Sequence, residues 1–174
     1  MKALFIIAPE NFRDEEFKVP RWKLEDAGVQ VTVASTKTGP CRGMLGMKVE
    51  SDTTVDKVNV NDYDAVVVSG GTGSKEFLWN NQKVLDIVKE FNKQNKVIAS
   101  ICMSGVVLAK AGVLKGKRAT VFPTGETQRL LEWNGAKYVK DHVVVDDNII
   151  TADGPDAADE FANKIVEVMG VGSV

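Results

Sequence analysis

The sequence predicts a single α/β domain over residues 1–174, built on a mostly parallel, doubly wound sheet. Two observations lead there. Short runs nearly continuous in Val, Ile, Ala and Phe recur along the chain, as strands covered on both faces require. Between them lie longer stretches with apolar residues three and four apart and charged residues opposite, the pattern of crossover helices. A length of 174 residues with 44% hydrophobic side chains closes one sizeable core and argues against a second domain.

In chain order, residues 2–8, 29–34, 65–69, 97–101 and 118–122 are the expected strands of a central sheet. Residues 15–27, 82–94, 104–111 and 127–134 are the helices between them. Ala27-Gly28 and Ala111-Gly112 mark helix ends, because Gly accepts the left-handed conformation there. Residues 39–54 break the alternation. They hold Gly39, Pro40, Gly43 and Gly46 before an alternating stretch at 47–51, which reads as a β-ribbon beside the sheet. Residues 138–151 read as a hairpin turning at Asp146-Asp147-Asn148, and a last helix spans 157–169 with Asp156 as its N-cap.

Composition removes several function classes. With 22 Lys and Arg against 24 Asp and Glu, the formal charge of −2 leaves no electrostatic footprint for nucleic acid or an anionic membrane. No apolar run reaches the roughly 18 to 20 residues of a membrane span. The apolar run at residues 3–9 meets Glu10, Arg13, Asp14, Glu15 and Glu16 with no small-residue cleavage site, so it is expected to be a buried first strand rather than a secretory leader. Cys41 and Cys102 match neither a disulfide framework nor a zinc pattern, so free thiols in a reducing cytoplasm are expected, with no metal.

In an open parallel sheet, functional groups gather beyond the carboxyl ends of the strands. That rule selects the acidic run after the first strand, Ser69-Gly70-Gly71-Thr72-Gly73 after the third, Cys102 after the fourth, Pro123-Thr124 after the fifth, and Asp153-Gly154-Pro155-Asp156. Cys102 stands at a strand-to-helix junction with Ser100 two before and Ser104 two after. A nucleophile elbow needs such small neighbours. A helix N-terminus there would lower the thiol pKa; the alternative is a small buried hydrophobe.

The Gly70–Gly73 loop could supply backbone N–H groups to an oxyanion, or be an ordinary turn. It lacks the Lys-Ser/Thr of a phosphate loop and the spacing of a dinucleotide fingerprint, so no cofactor is expected. Charge alone does not choose among Glu10, Asp14, Glu15 and Glu16. Trp22, Trp79 and Trp133 read as packing or interface residues, and Cys41 as a bystander or an accessible oxidation site.

Taken together, the acidic loop with Val19-Pro20, residues 63–71, Ala99-Ser100-Ile101-Cys102 and residues 150–155 resemble the ThiJ/PfpI superfamily over nearly the whole chain. That superfamily includes peptidase-like, glyoxalase-like and deglycase-like proteins and redox proteins. The resemblance implies a flavodoxin-like three-layer sandwich with a nucleophile elbow, and a homodimer or higher homo-oligomer. It also singles out Glu16, four residues before Pro20, as the carboxyl beside the reactive thiol, with Gly71 and Met103 as backbone donors to the sulfur. Gly70, Phe122, Pro123 and Asp153 become pocket candidates.

Two departures stand out. The peptidase-like members carry His after the Cys, where this chain has Met103; others place a His at the position of Phe122. His142, the sole histidine, is expected at the surface or a strand edge, so a Cys–His hydrolytic shuttle lacks its base. Three functions follow: an enzyme acting on small reactive carbonyls or their adducts, a redox sensor responding to an oxidant through Cys102, or a cysteine peptidase or amidase. The expected partner is a small-molecule substrate or oxidant.

Overall fold

The computed structural model describes residues 1–172, so the last two residues of the expected domain lie outside the described residues. The first strand, β1 (Lys2–Ile6), is buried at every position after Lys2. A three-residue strand, β2 (Glu10–Phe12), follows it and leads into helix α1 (Asp14–Asp26). Next come β3 (Gln30–Ser35), β4 (Pro40–Gly43), β5 (Lys48–Glu50) and β6 (Thr53–Thr54). The middle of the chain holds β7 (Ala65–Val68), α2 (Thr72–Phe77), α3 (Gln82–Lys93), β8 (Val97–Ile101) and α4 (Gly105–Lys110). The last third holds β9 (Arg118–Ala119), α5 (Gly125–Trp133), β10 (Lys137–Tyr138), β11 (Val143–Asp146), β12 (Ile149–Ala152) and α6 (Ala158–Met169).

Seven strands form the central sheet in the order β11-β12-β8-β7-β1-β3-β6. Every neighbouring pair is parallel except the hairpin β11–β12 at the edge. The two-residue period of the strands divides the core. Leu4, Ile6, Val66, Val68 and Ile98 pack on one face with Val88 and Phe91 of α3, Leu108 of α4 and Leu131 of α5. Phe5, Val67, Ala99 and Ile101 pack on the other with Phe17 and Leu24 of α1 and Phe161 and Ile165 of α6. The result is a three-layer α/β sandwich. Each fully buried Phe, Leu or Ile contributes roughly 1.5–3 kcal/mol by leaving water. Among the described residues no helix is long and apolar enough to cross a membrane.

The glycine stops at Gly28 and Gly112 are as expected: each follows a helix and takes positive φ, +87° and +81°. Several other expectations need correction. Residues 118–122 are not a strand of the central sheet. Only Arg118 and Ala119 are extended, and they pair with Lys137 and Tyr138 in a separate two-stranded sheet. Beyond them the backbone is drawn toward side groups and the elbow: Thr120 N donates to Thr151 Oγ1 at 2.9 Å and Phe122 N to the Cys102 carbonyl at 3.2 Å.

The ribbon of residues 39–54 is part of a three-stranded sheet, β2-β4-β5, while β6 leaves it to pair with β3. Asp156 does not cap α6. Pro155 opens a 3-10 turn over Pro155–Ala157, and α6 begins at Ala158 without a side-chain cap. Helix α5 starts two residues earlier than its periodicity suggests. The reason is a reciprocal cap, with Thr124 Oγ1 accepting from Thr127 N at 3.0 Å and Thr127 Oγ1 from Thr124 N at 2.9 Å.

Candidate active site

From β1 the chain proceeds to β3 on one side, while β7 and β8 are laid down on the other. The crevice at the carboxyl ends of these strands is where such a sheet opens. It collects the start of α1 from after β1, the Ser69–Gly71 loop from after β7, and Cys102 from after β8.

Cys102 sits at a strained turn. Ile101 is extended, Cys102 has φ +60°, and a 3-10 turn over Cys102–Ser104 then enters α4. Among the described residues the other non-glycine ones with positive φ are Asn11, Asn95 and Asp147, types that tolerate it. A cysteine there must be held by its surroundings. Phe122 N donates to its carbonyl at 3.2 Å, and Trp79 Nε1 donates to the Met103 carbonyl at 2.9 Å. Ser104 Oγ donates to the Ser69 carbonyl at 2.6 Å and lies 2.7 Å from Ser74 Oγ. Ser104 is therefore a tie between the elbow and the loop after β7, as well as a small neighbour.

Gly70 and Gly71 are required by close approach. A Cβ on Gly70 would stand 2.6 Å from Glu16 Oε1, 2.6 Å from the Ile101 carbonyl and 2.7 Å from Cys102 Cβ. Gly71 has φ +101°, and a Cβ there would lie 2.5 Å from Arg13 N and from the Asn11 carbonyl. With no side chain on Gly71 in the way, its amide and that of Met103 stand close enough to the Cys102 sulfur to lower its pKa.

Glu16 is fully buried, and neither carboxyl oxygen has a hydrogen bond of full geometry among the described residues. The polar groups close enough to act on it are the Cys102 thiol and the Gly70 amide. Burial pushes its carboxyl up to about 8, against smaller downward pulls from Cys102, Gly70 and the Arg13 guanidinium. Its position on α1 is set from behind. Pro20, inside α1, has no N–H for the Glu16 carbonyl one turn earlier, and Ser69 Oγ donates to that carbonyl instead, at 3.2 Å.

The expected low thiol pKa is overturned. Burial, and then the charge of Glu16, push Cys102 up to about 12, and the Gly71 and Met103 amides pull it down only in part. Cys102 is 6% exposed, and the helix behind it has six residues, so desolvation outweighs the dipole.

A cavity of about 160 Å³ opens over the sulfur. Gly71, Cys102, Met103 and Phe122, all singled out from sequence, line it, and Gly70 backs Glu16 and Cys102. Pro123 and Asp153 do not line it. They belong to an adjoining cavity of about 220 Å³ with His142, and Phe122 and Pro155 line both. His142 Nδ1 lies 3.0 Å from Asp153 Oδ2, with its side chain 76% exposed.

Thr72 and Pro155, in loops that the strand-end rule selected, also line the Cys102 cavity, as do Arg13 and Met44, which were missed from sequence. Arg13 had one signal, being the single basic residue in an acidic loop. Of the tryptophans, Trp79 is a packing residue, whereas Trp22 and Trp133 are largely exposed. Cys41 is fully buried, which removes its reading as an accessible oxidation site, and both cysteines are free. No group of three or more His, Cys, Asp or Glu among the described residues could hold a metal.

Known proteins resemble the chain over nearly its whole length. A protein of Methanocaldococcus jannaschii is 49% identical over 168 residues, covering 97% of this chain and 82% of that protein. A deglycase of Pyrococcus horikoshii is 36% identical over 162 residues, covering 93% of this chain and 94% of the relative. The crystal structure of a ThiJ/PfpI domain protein from Brachyspira murdochii superposes with a TM-score of 0.92 at 31% identity, covering 97% of this chain and 96% of that one. The model of the DJ-1/PfpI family matches residues 1–168, and the chain belongs to that family.

Proposed function

We propose that this protein acts on small reactive carbonyls or their adducts, as a glyoxalase or deglycase, with Cys102 as nucleophile and Glu16 as proton carrier. The observation that carries the reading is the buried pair itself: a thiol on a strained elbow beside a carboxyl whose oxygens have no hydrogen bond of full geometry among the described residues and whose pKa rises to about 8. A carboxyl poised near neutrality can both take and return a proton. The relative named deglycase supports the same chemistry.

With methylglyoxal the steps balance without a histidine. Ionised Glu16 takes the thiol proton as sulfur bonds to the aldehyde carbon and the C=O pair moves to oxygen. The Gly71 and Met103 amides are the donors for that oxygen, which then receives the proton. Glu16 next removes the hydrogen from the same carbon and returns it to the neighbouring one, while the hydroxyl proton passes from the first oxygen to the second, giving the lactoyl thioester. Water cleaves the thioester to lactate and restores the thiol. A cavity of about 160 Å³ suits a molecule of this size rather than a peptide.

Sensing of oxidants through Cys102 is the weaker reading. It needs thiolate at neutral pH, and burial works against that.

The test is lactate formation from methylglyoxal by wild type, Cys102→Ser and Glu16→Gln. Wild-type turnover should climb as pH rises toward about 8, where Glu16 becomes a base, and both variants should be inactive. Absence of wild-type turnover, or full turnover by Cys102→Ser, overturns the proposal.

A further inference from the structure

Arg13 is the only charged residue among the described residues that line the Cys102 cavity. Its backbone N–H donates to the Gly70 carbonyl at 2.9 Å, which ties it to the loop carrying Gly71. Its Nε and Nη2 donate in parallel to the two Glu15 oxygens, each at 2.9 Å. A guanidinium has five N–H donors. The Glu15 fork uses two, so the edge formed by Nη1 and Nη2 keeps three without an acceptor among the described residues. The side chain is 29% exposed, open to a solute. Met44, Met103, Phe122 and Pro155, on the same lining, have no charge to offer an ion.

We infer that Arg13 makes this an anion-selecting site, whose preferred small carbonyl compound carries a carboxylate within a few atoms of the carbon that Cys102 attacks. The inference rests on the proposed carbonyl chemistry for the kind of substrate, and on Arg13 alone for its charge. Two parallel N–H donors on a planar group match the two oxygens of a carboxylate. Glu15 holds the opposite edge and so fixes the plane of the fork before anything binds. Because Glu15 also balances the charge, selection comes from directed donors rather than from a long-range field. In the hemithioacetal step the S–C bond forms, the carbonyl π pair goes to oxygen, and the thiol proton ends on that oxygen. The carboxylate stays outside these bonds, held by Arg13. A neutral dicarbonyl of the same length lacks that hold.

Iodoacetate and iodoacetamide, near-isosteric and differing in charge, test this without requiring turnover. Alkylation rates at Cys102 would be read by peptide mass, and the iodoacetate-to-iodoacetamide ratio divided by the same ratio for free glutathione. Wild type should show an excess of about fivefold or more, the scale of a charge-assisted fork at a partly exposed site. Arg13→Gln should bring the ratio to that of glutathione, and Arg13→Lys should lose most of the excess because the fork is gone. Lys18→Gln removes an exposed charge that does not line the cavity, and should keep the wild-type ratio. A wild-type ratio no higher than that of glutathione, an equal ratio in Arg13→Gln, or no labelling of Cys102 by either reagent overturns the inference. Anion preference without methylglyoxal turnover sinks the proposed reaction and leaves the selection standing; turnover with a flat ratio does the reverse.

Discussion

Ser69 Oγ donates to the backbone carbonyl of Glu16 at 3.2 Å. That carbonyl has no helical partner, because the residue one turn later is Pro20. The proline thus creates a vacancy that the loop after β7 fills, and the bond locks α1 to the loop carrying Gly70 and Gly71. Glu16 is held beside Cys102 by its own main chain.

Ser69→Ala should remove this lock. A buried carbonyl left unpaired costs about 1–3 kcal/mol, read as a lower midpoint of urea unfolding. The same variant should change the pH profile of Cys102 alkylation, since Glu16 is no longer fixed. Unchanged stability and an unchanged profile would remove Ser69 from the account.

Glu16 should make the fold less stable as pH rises. Its folded pKa is raised from an ordinary 4.5 to about 8, so between these values the folded state binds more protons than the unfolded state. Stability from this group is full below about 4.5 and is lost as pH climbs through about 8. Unfolding midpoints measured across that window should fall for wild type, and the Glu16 component of the fall should be absent in Glu16→Gln. Parallel curves for the two proteins would contradict the buried, protonated carboxyl.

Glu16→Gln should also make the thiol easier to ionise. The charge of Glu16 and its hydrogen bond both raise Cys102, so their removal lowers the midpoint of the alkylation-rate profile. Burial, the largest cause, stays, and should keep that midpoint above the ordinary thiol value of 9.0. Iodoacetamide rates through the alkaline range measure it. A midpoint equal to or higher than that of wild type would reverse the assigned sign.

Gly70→Ala should disturb the site from its floor. The new methyl would overlap the Ile101 carbonyl and Cys102 Cβ as well as the Glu16 carboxyl, and backbone cannot yield as a flexible side chain does. Overpacking of this kind costs typically about 1–3 kcal/mol. Lower thermal stability together with altered Cys102 reactivity is expected. A variant with wild-type values in both would show that the crevice has room to relax.

Much of the fold was legible because strands buried on both faces need near-continuous apolar runs, as in Ala65–Val68 and Val97–Ile101. The same rule misread Thr120 and Val121. They are buried, but against side groups and the elbow rather than in the sheet. Three-residue strands such as Glu10–Phe12 are too short for a period to register.

At the site, the sequence alone pointed to the turn at Cys102, since Ser100 and Ser104 keep its neighbours small, whereas the need for glycine at Gly70 and Gly71 appears only when folding brings Glu16, Ile101 and Arg13 against them. The choice of Glu16 over its acidic neighbours came only with the family resemblance. Tertiary structure alone decided how that site is charged. Whether a thiol or carboxyl ionises depends on the water it has lost and on the groups brought against it from distant elements. Cys102 was therefore expected low from its place before a helix, and is raised because it is buried against Glu16. Arg13 escaped notice for the same reason: only folding sets this residue, its guanidinium gripped by Glu15, into the lining of the thiol's cavity.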